Sequence, residues 1–139
     1  MTPEFWKDRR VLLTGHTGFK GAWLTLWLQR CGARVTGLAL APEAAPNLFE
    51  AASIATGVRS EIGDVRDLAV VERVVSEAEP EIVLHLAAQA LVRRGYRDPI
   101  ATYATNVLGT AHVLDAVRRL SPARAVVVVT SDKCYENRE

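Results

Sequence analysis

A strand-like run, Arg10-Val11-Leu12-Leu13-Thr14, passes directly into three glycines, Gly15, Gly18 and Gly21, and an apolar helical pattern begins before the last of them. A loop of this kind needs one glycine for a tight turn, one where a ligand comes close to the backbone, and one where the helix packs down on the strand. The helix N-terminus then offers oriented N–H donors and a partial positive charge on the same side. The stretch from Thr14 to Gly21 is therefore read as a cradle for a nucleotide pyrophosphate, with Gly15, His16, Thr17, Gly18, Phe19, Lys20 and Gly21 as candidate contacts. Glycines at this spacing also serve ordinary turns; the position after a strand and before a helix singles this loop out.

The rest of the chain alternates in the same way. Between Phe19 and Cys31, the residues Trp23, Leu24, Trp27, Leu28 and Cys31 fall at helical spacing, and Gly32 stops the run. Arg34 to Leu40 is expected as a second strand, and the prolines between Ala41 and Pro46 forbid its continuation and leave a loop there. Val58 to Ile62 predicts a third strand ended by Gly63 and Asp64. Leu68, Val71, Val74, Val75 and Ala78 then form a helical stripe that halts before Pro80. Ile82 to Leu86 is continuously apolar, the mark of a strand covered on both faces. Asp98 and Pro99 supply a cap and a first turn for a helix in which Val107, Ala111, Leu114 and Val117 share one face, and Ala125 to Thr130 predicts a fifth buried strand. Such alternation implies an α/β fold, a doubly wound parallel sheet with helices on both faces and the strand order 3-2-1-4-5.

The 139 residues, 49% hydrophobic and 24% charged, suit one globular core. A net charge of +1 with scattered Lys and Arg argues against a nucleic-acid partner, and no segment approaches the roughly 18 apolar residues of a membrane span. The polar start, Met1 to Arg10, has no leader-like pattern, and Cys31 and Cys134 stand far apart, so a cytoplasmic location is expected. His16, His85 and His112 lack metal-ligand spacing, so no metal is expected; His85 is read as packing and His112 as a helix-surface residue. Arg93, Arg94 and Arg97 form the tight basic cluster, suited either to a substrate diphosphate or to plain solvation.

The Gly-x-x-Gly-x-x-Gly spacing is joined by Asp64-Val65-Arg66-Asp67, His85-Leu86-Ala87-Ala88-Gln89, Thr105-Asn106-Val107-Leu108-Gly109-Thr110 and Val129-Thr130-Ser131-Asp132-Lys133-Cys134-Tyr135. Together, in this order, they resemble the extended short-chain dehydrogenase/reductase superfamily over essentially the whole chain. The resemblance implies a Rossmann-like fold that binds NAD. Asp64 and Val65 would meet the adenine, Ala87 and Ala88, with Leu86 and Gln89 beside them, would line the route to the nicotinamide ribose, and Asn106 would stabilise the site through backbone contacts. The plainer alternatives are that Asp64 caps a turn and the alanines permit tight packing.

Within the superfamily, the His16, Phe19 and Lys20 set of the loop, Pro46-Asn47-Leu48-Phe49-Glu50, Ala88-Gln89-Ala90-Leu91-Val92-Arg93-Arg94 and the segment from Ser131 to Asn137 are similar to nucleotide-sugar 4,6-dehydratases, and among them to the branch acting on CDP-glucose. The implied reaction moves hydride from sugar C4 to NAD+, eliminates water across C5 and C6, and returns the hydride to C6. The group at large carries Thr-Asp-Glu after the fifth strand; here the triplet is Ser131-Asp132-Lys133. By resemblance Ser131, with Thr130 as its neighbour, bonds the reacting 4-hydroxyl and Asp132 is the general acid. Lys133 serves as base only if burial or a nearby cation lowers its pKa; a salt-bridged Asp–Lys pair capping the strand is the alternative.

The superfamily's Tyr-x-x-x-Lys pair is missing from this sequence: Tyr96, Tyr103 and Tyr135 are followed four residues on by Ile100, Val107 and Glu139. Residues 1–139 are therefore expected to be an incomplete NAD(P)-binding domain of a longer enzyme, whose later strands, Tyr-x-x-x-Lys helix and C-terminal sugar-nucleotide domain lie outside them. Alone they are expected to hold dinucleotide without turnover. A binding module without catalysis and a sibling epimerase or dehydratase are the competing readings. After the second strand Glu43 is the first carboxylate, with no Arg beside it for a 2′-phosphate, so NAD against NADP stays open and the resemblance favours NAD. The longer enzyme is expected to be a homodimer.

Overall fold

The computed structural model describes residues 3–131 and residue 136. Five parallel strands form one sheet: β1 (Arg10–Thr14), β2 (Arg34–Ala39), β3 (Arg59–Ile62), β4 (Ile82–His85) and β5 (Ala125–Val128), in the order β3-β2-β1-β4-β5. The expected order is thus the observed one, and the predicted strand and helix limits hold to within one or two residues. β1 occupies the centre, with Val11 opposite Val35 on one side and Ile82 on the other. Its side chains alternate between the faces. Val11 and Leu13 join a core with Trp6, Leu28, Val35 and Leu84, and Leu12 joins the opposite core with Leu38, Val71, Val75, Val83 and Val113.

One face is covered by α1 (Pro3–Trp6) and α2 (Phe19–Arg30), the other by α4 (Leu68–Ala78) and α7 (Thr110–Leu120); α3 (Leu48–Ala51) follows β2 and α5 (Val92–Arg97) follows β4. α4 starts where the Asp67 carboxylate accepts from the N–H groups of Ala69 and Val70, and it ends at Glu79 in a left-handed conformation before Pro80. α2 ends before Gly32, whose φ of +79° a residue with a side chain rarely adopts.

The structure corrects three expectations. α2 buries Gly21, Ala22, Thr25 and Leu28, whereas Trp23 and Trp27 are 55% and 44% exposed. Small residues let the helix sit close to the sheet, and indole rings do not fit in that gap; Trp27 leans edge-on against Trp6 instead. The helix expected after Asp98 runs on without interruption through α6 (Pro99–Tyr103), a π segment (Ala104–Gly109) and α7. It buries Gly109, Val113, Ala116 and Val117, so Val107, Ala111 and Leu114 lie on the outside; the apolar period was right but two faces of this helix are apolar. β5 is not buried: among the described residues it pairs with β4 alone, and Val127 is 51% exposed.

At the N-terminal ends of the strands, the Glu81 carboxylate accepts from Arg9 Nη1 at 2.8 Å and from the Arg10 N–H at 3.2 Å, and Arg10 Nε donates to the Glu79 carbonyl at 2.7 Å. This end of the sheet is laced by charge. The C-terminal ends are left for loops.

Candidate functional site

A cavity of about 540 Å³ opens at the C-terminal ends of β1, β2, β3 and β4. Its floor is the glycine loop, contributing Gly15, Thr17, Gly18 and Phe19, and its walls are Leu40 to Ala44 with Pro46, Asn47 and Leu48, Asp64 and Val65, and Leu86 to Ala88. Parallel sheets place ligands in this crevice, where the connections on either side of β1 diverge.

The three glycines answer to different demands. Gly15 has φ +80°, and a Cβ there would lie 2.9 Å from the Ala87 nitrogen. A Cβ on Gly21 would overlap the Gly15 carbonyl oxygen and come within 2.9 Å of His16 Cα, so Gly21 lets α2 pack onto the loop. Gly18 has extended backbone and an added Cβ would meet only the Gly15 oxygen, at 3.4 Å; its free side is turned to the cavity. No side chain caps α2 and no acidic residue lies in its first turn, so its leading N–H groups and the positive end of its dipole are left open.

The His16 side chain does not reach this cavity, contrary to expectation. It is fully buried behind the loop, bonded through Nε2 to Ser60 Oγ at 2.7 Å, packed on Gly37 and edge-on to Phe49. Burial pushes its pKa down to about 4, so the ring is neutral at pH 7. The Lys20 side chain is exposed and does not line the cavity. Thr17 Oγ1 donates to the Leu40 carbonyl at 2.8 Å, tying the loop to the end of β2.

Asp64 lines the cavity and also closes a turn: it accepts from the Arg66 N–H at 2.9 Å and from the Arg66 guanidinium, which holds its carboxyl below the usual carboxylate range. Val65 is fixed from behind, its carbonyl accepting from His112 Nδ1 at 3.1 Å and its side chain filling the notch at Gly109. His112 is thus half-buried and bonded rather than a simple surface residue. On the far wall the N–H groups of Leu86 and Ala87 donate to Thr14 Oγ1, at 3.1 Å each. Asn106, in the π segment, brackets Gln89: Oδ1 accepts from its N–H at 2.7 Å and Nδ2 donates to its carbonyl at 3.0 Å. The Gln89 side chain turns away to Leu91 and Thr102. Ser131 lies past β5 and is exposed; Asp132 and Lys133 lie outside the described residues.

Sequence reasoning did not anticipate the wall formed by Leu40 to Leu48, nor the ion pair in which Arg94 Nη1 donates to Glu43 Oε1 at 2.7 Å across 51 positions. A signal for the wall was present: Asn47 followed three residues later by Glu50 is a helix-start pattern, and Asn47 Oδ1 caps α3 by accepting from the Glu50 N–H.

The family model for GDP-mannose 4,6-dehydratase matches residues 12–138. The chain belongs to this family. A CDP-glucose 4,6-dehydratase of Salmonella typhimurium is 52% identical over 136 residues, which is 98% of this family member and 38% of the Salmonella protein. A dTDP-glucose 4,6-dehydratase of Xanthomonas campestris is 40% identical over 110 residues, 77% of this chain and 31% of that protein. Among solved structures, the UDP-glucose 4-epimerase from Brucella ovis in complex with NAD superposes with a TM-score of 0.72 at 27% identity, over 87% of this chain and 35% of that one. The chain thus spans less than two-fifths of the length of these relatives.

Proposed function

We propose that the chain is the cofactor-binding part of a nucleotide-sugar 4,6-dehydratase that holds NAD and converts CDP-glucose to CDP-4-dehydro-6-deoxyglucose in the cytoplasm. The observation that carries the nucleotide reading is the cavity floored by Gly15 and Gly18, where an added side chain would either break the loop or fill the space. The choice of CDP-glucose is supported by the 52% identity to the Salmonella enzyme.

The residues fit a dinucleotide. The backbone from Gly15 to Phe19 with the α2 N-terminus would take the pyrophosphate, Asp64 and Val65 the adenine, and Leu86 to Ala88 the nicotinamide ribose, with Gln89 and Asn106 supporting that wall. Bound NAD would supply reversible hydride transfer, serving sugar C4 and then C6. A keto group at C4 makes the C5 proton acidic, so the remaining work is proton transfer. Asp132 would protonate the departing 6-hydroxyl, Lys133 would take the C5 proton in its neutral form, and Ser131 would bond the 4-hydroxyl. A homodimer is part of the proposal, supported by the outward apolar stripe of Ile100, Tyr103, Val107 and Leu114.

Titration of the chain with NAD+ and NADP+ tests the cofactor; tighter NADP+ binding overturns NAD. Assay of the complete enzyme with CDP-glucose, dTDP-glucose and GDP-mannose tests the substrate, and turnover of only the last two overturns the CDP assignment. In the same enzyme, Asp132→Asn and Lys133→Met should slow solvent-deuterium entry at C5 while leaving NADH formation; elimination at the parent rate in both removes their roles.

A further inference from the structure

Behind the cavity wall runs a chain of hydrogen bonds that nucleotide binding does not itself require. Thr14 ends β1, His85 ends β4 and Thr110 begins α7, and they meet in the interior: Thr14 Oγ1 lies 2.6 Å from His85 Nδ1, and His85 Nε2 lies 2.9 Å from Thr110 Oγ1. His85 is 2% exposed. Counting donors places every hydrogen. The Thr110 hydroxyl gives its one hydrogen to the Asn106 carbonyl at 2.8 Å, so toward His85 it accepts, and Nε2 carries the ring hydrogen. Thr14 Oγ1 accepts from the Ala87 N–H and shares the Leu86 N–H with the Thr14 carbonyl, at 3.1 and 3.2 Å, so both its lone pairs face donors and its own hydrogen goes to Nδ1. The neutral ring with hydrogen on Nε2 satisfies all partners. Its Nδ1 tautomer leaves donors facing donors.

This chain ties together the pieces of backbone that build the cavity. Thr14 leads into the glycine loop and carries Leu86 and Ala87; Thr110 holds the carbonyl of Asn106, whose side chain brackets Gln89. The segment from Leu86 to Gln89 is fastened at both ends, and the two fastenings are joined through one imidazole. We propose that His85 is a positioning residue: its neutral, Nε2-protonated ring couples the glycine loop to the opposite wall, so that a dinucleotide in the cavity is registered at the ring. The coupling to ligand rests on the cavity being a dinucleotide site, whereas the proton arrangement does not.

Histidine-ring ¹⁵N spectra of the chain at neutral pH test the arrangement directly. His85 is expected to show an unprotonated Nδ1 and a protonated Nε2, and saturation with NAD+ is expected to shift both; a protonated Nδ1, a tautomer average, or bound NAD+ without any shift overturns the proposal. Thr110→Val removes the acceptor for Nε2–H without altering a cavity-lining residue. It should speed amide exchange at Leu86 and Ala87 and weaken NAD+ binding, each roughly tenfold, with Thr110→Ser restoring both. A folded Thr110→Val chain that exchanges and binds like the parent overturns the proposal. If the parent shows the Nε2–H ring and the valine variant the faster exchange, but neither binds NAD+, the positioning role stands and the nucleotide reading falls. If Thr110→Val does not fold, the parent spectra decide alone.

Discussion

The glycine loop and the wall after β4 face each other across one cavity but are held in place by opposite means. The loop is shaped by missing side chains: Gly15 and Gly21 bring backbone against backbone at distances no Cβ can share. The facing wall is shaped by side chains that are present, Thr14 taking two N–H groups and Asn106 a donor and an acceptor of Gln89. The first arrangement tolerates no addition. The second tolerates no deletion, because it takes their partners from the Ala87 N–H and from both backbone groups of Gln89.

The sharpest way to break this contrast is to add one methyl group to the loop. Gly21→Ala should destabilise the chain by more than about 3 kcal/mol, since the overlapped atoms are backbone and cannot swing aside. A cooperative melt close to the parent's would show that the loop yields after all. Acid probes the buried histidine behind the loop. The His16 pKa falls from its ordinary 6.5 to about 4 on folding, so the unfolded chain takes up the proton first. The stability this provides is complete above pH 6.5 and is lost as pH falls toward 4, by up to about 3 kcal/mol. Denaturant titrations at intervals through that window measure the slope, and His16→Asn should flatten it.

On the facing wall, Asn106→Ala should cost about 2 kcal/mol by orphaning both backbone groups of Gln89, read from urea unfolding. Asn106→Asp separates the two bonds, keeping the acceptor for the Gln89 N–H while turning a carboxylate oxygen toward its carbonyl. The smallest change in stability is expected at Gly18. With extended backbone and room for a Cβ, Gly18→Ala should shift stability by less than about 0.5 kcal/mol. The methyl group would still crowd the cavity, so NAD+ affinity measured by calorimetry should fall although the melt does not. Equal affinity would mean that Gly18 serves only the turn.

Where backbone order sets the structure, the sequence was legible. The run Val11-Leu12-Leu13, the cap at Asp67 and the stop at Pro80 announce their elements, and the alternation of strands and helices implies the observed strand order. Periodicity located α2 and the helix after Asp98 but not the side each one buries. Trp23 and Val107 obey the spacing and lie outside, because the close approach at Gly21 and at Gly109 selects the face, and a glycine carries no hydrophobic signal. The glycine loop and Asp64 both line the cavity. His16 was misplaced because a polar residue in a phosphate loop suggests a ligand contact, and only the packing against Gly37, Phe49 and Ser60 shows that it belongs to the interior. Contacts such as Arg94 with Glu43, or Thr14 with His85, join residues 51 and 71 positions apart and leave no local pattern to read.

The charged lacing of Arg9, Arg10, Glu79 and Glu81 sits at the end of the sheet away from the cavity. The charged lacing and the cavity therefore occupy opposite poles of the same strands, separated by the length of β1. The charge-laced pole can vary without touching the cavity, whereas positions at the open pole such as Gly21 and Asn106 answer for the fold and for the shape of the cavity at once. A change of resistance to heat or denaturant at Arg9, Arg10 or Glu81 then leaves the cavity alone, but a change of cavity shape at Gly21 or Asn106 carries a loss of stability with it.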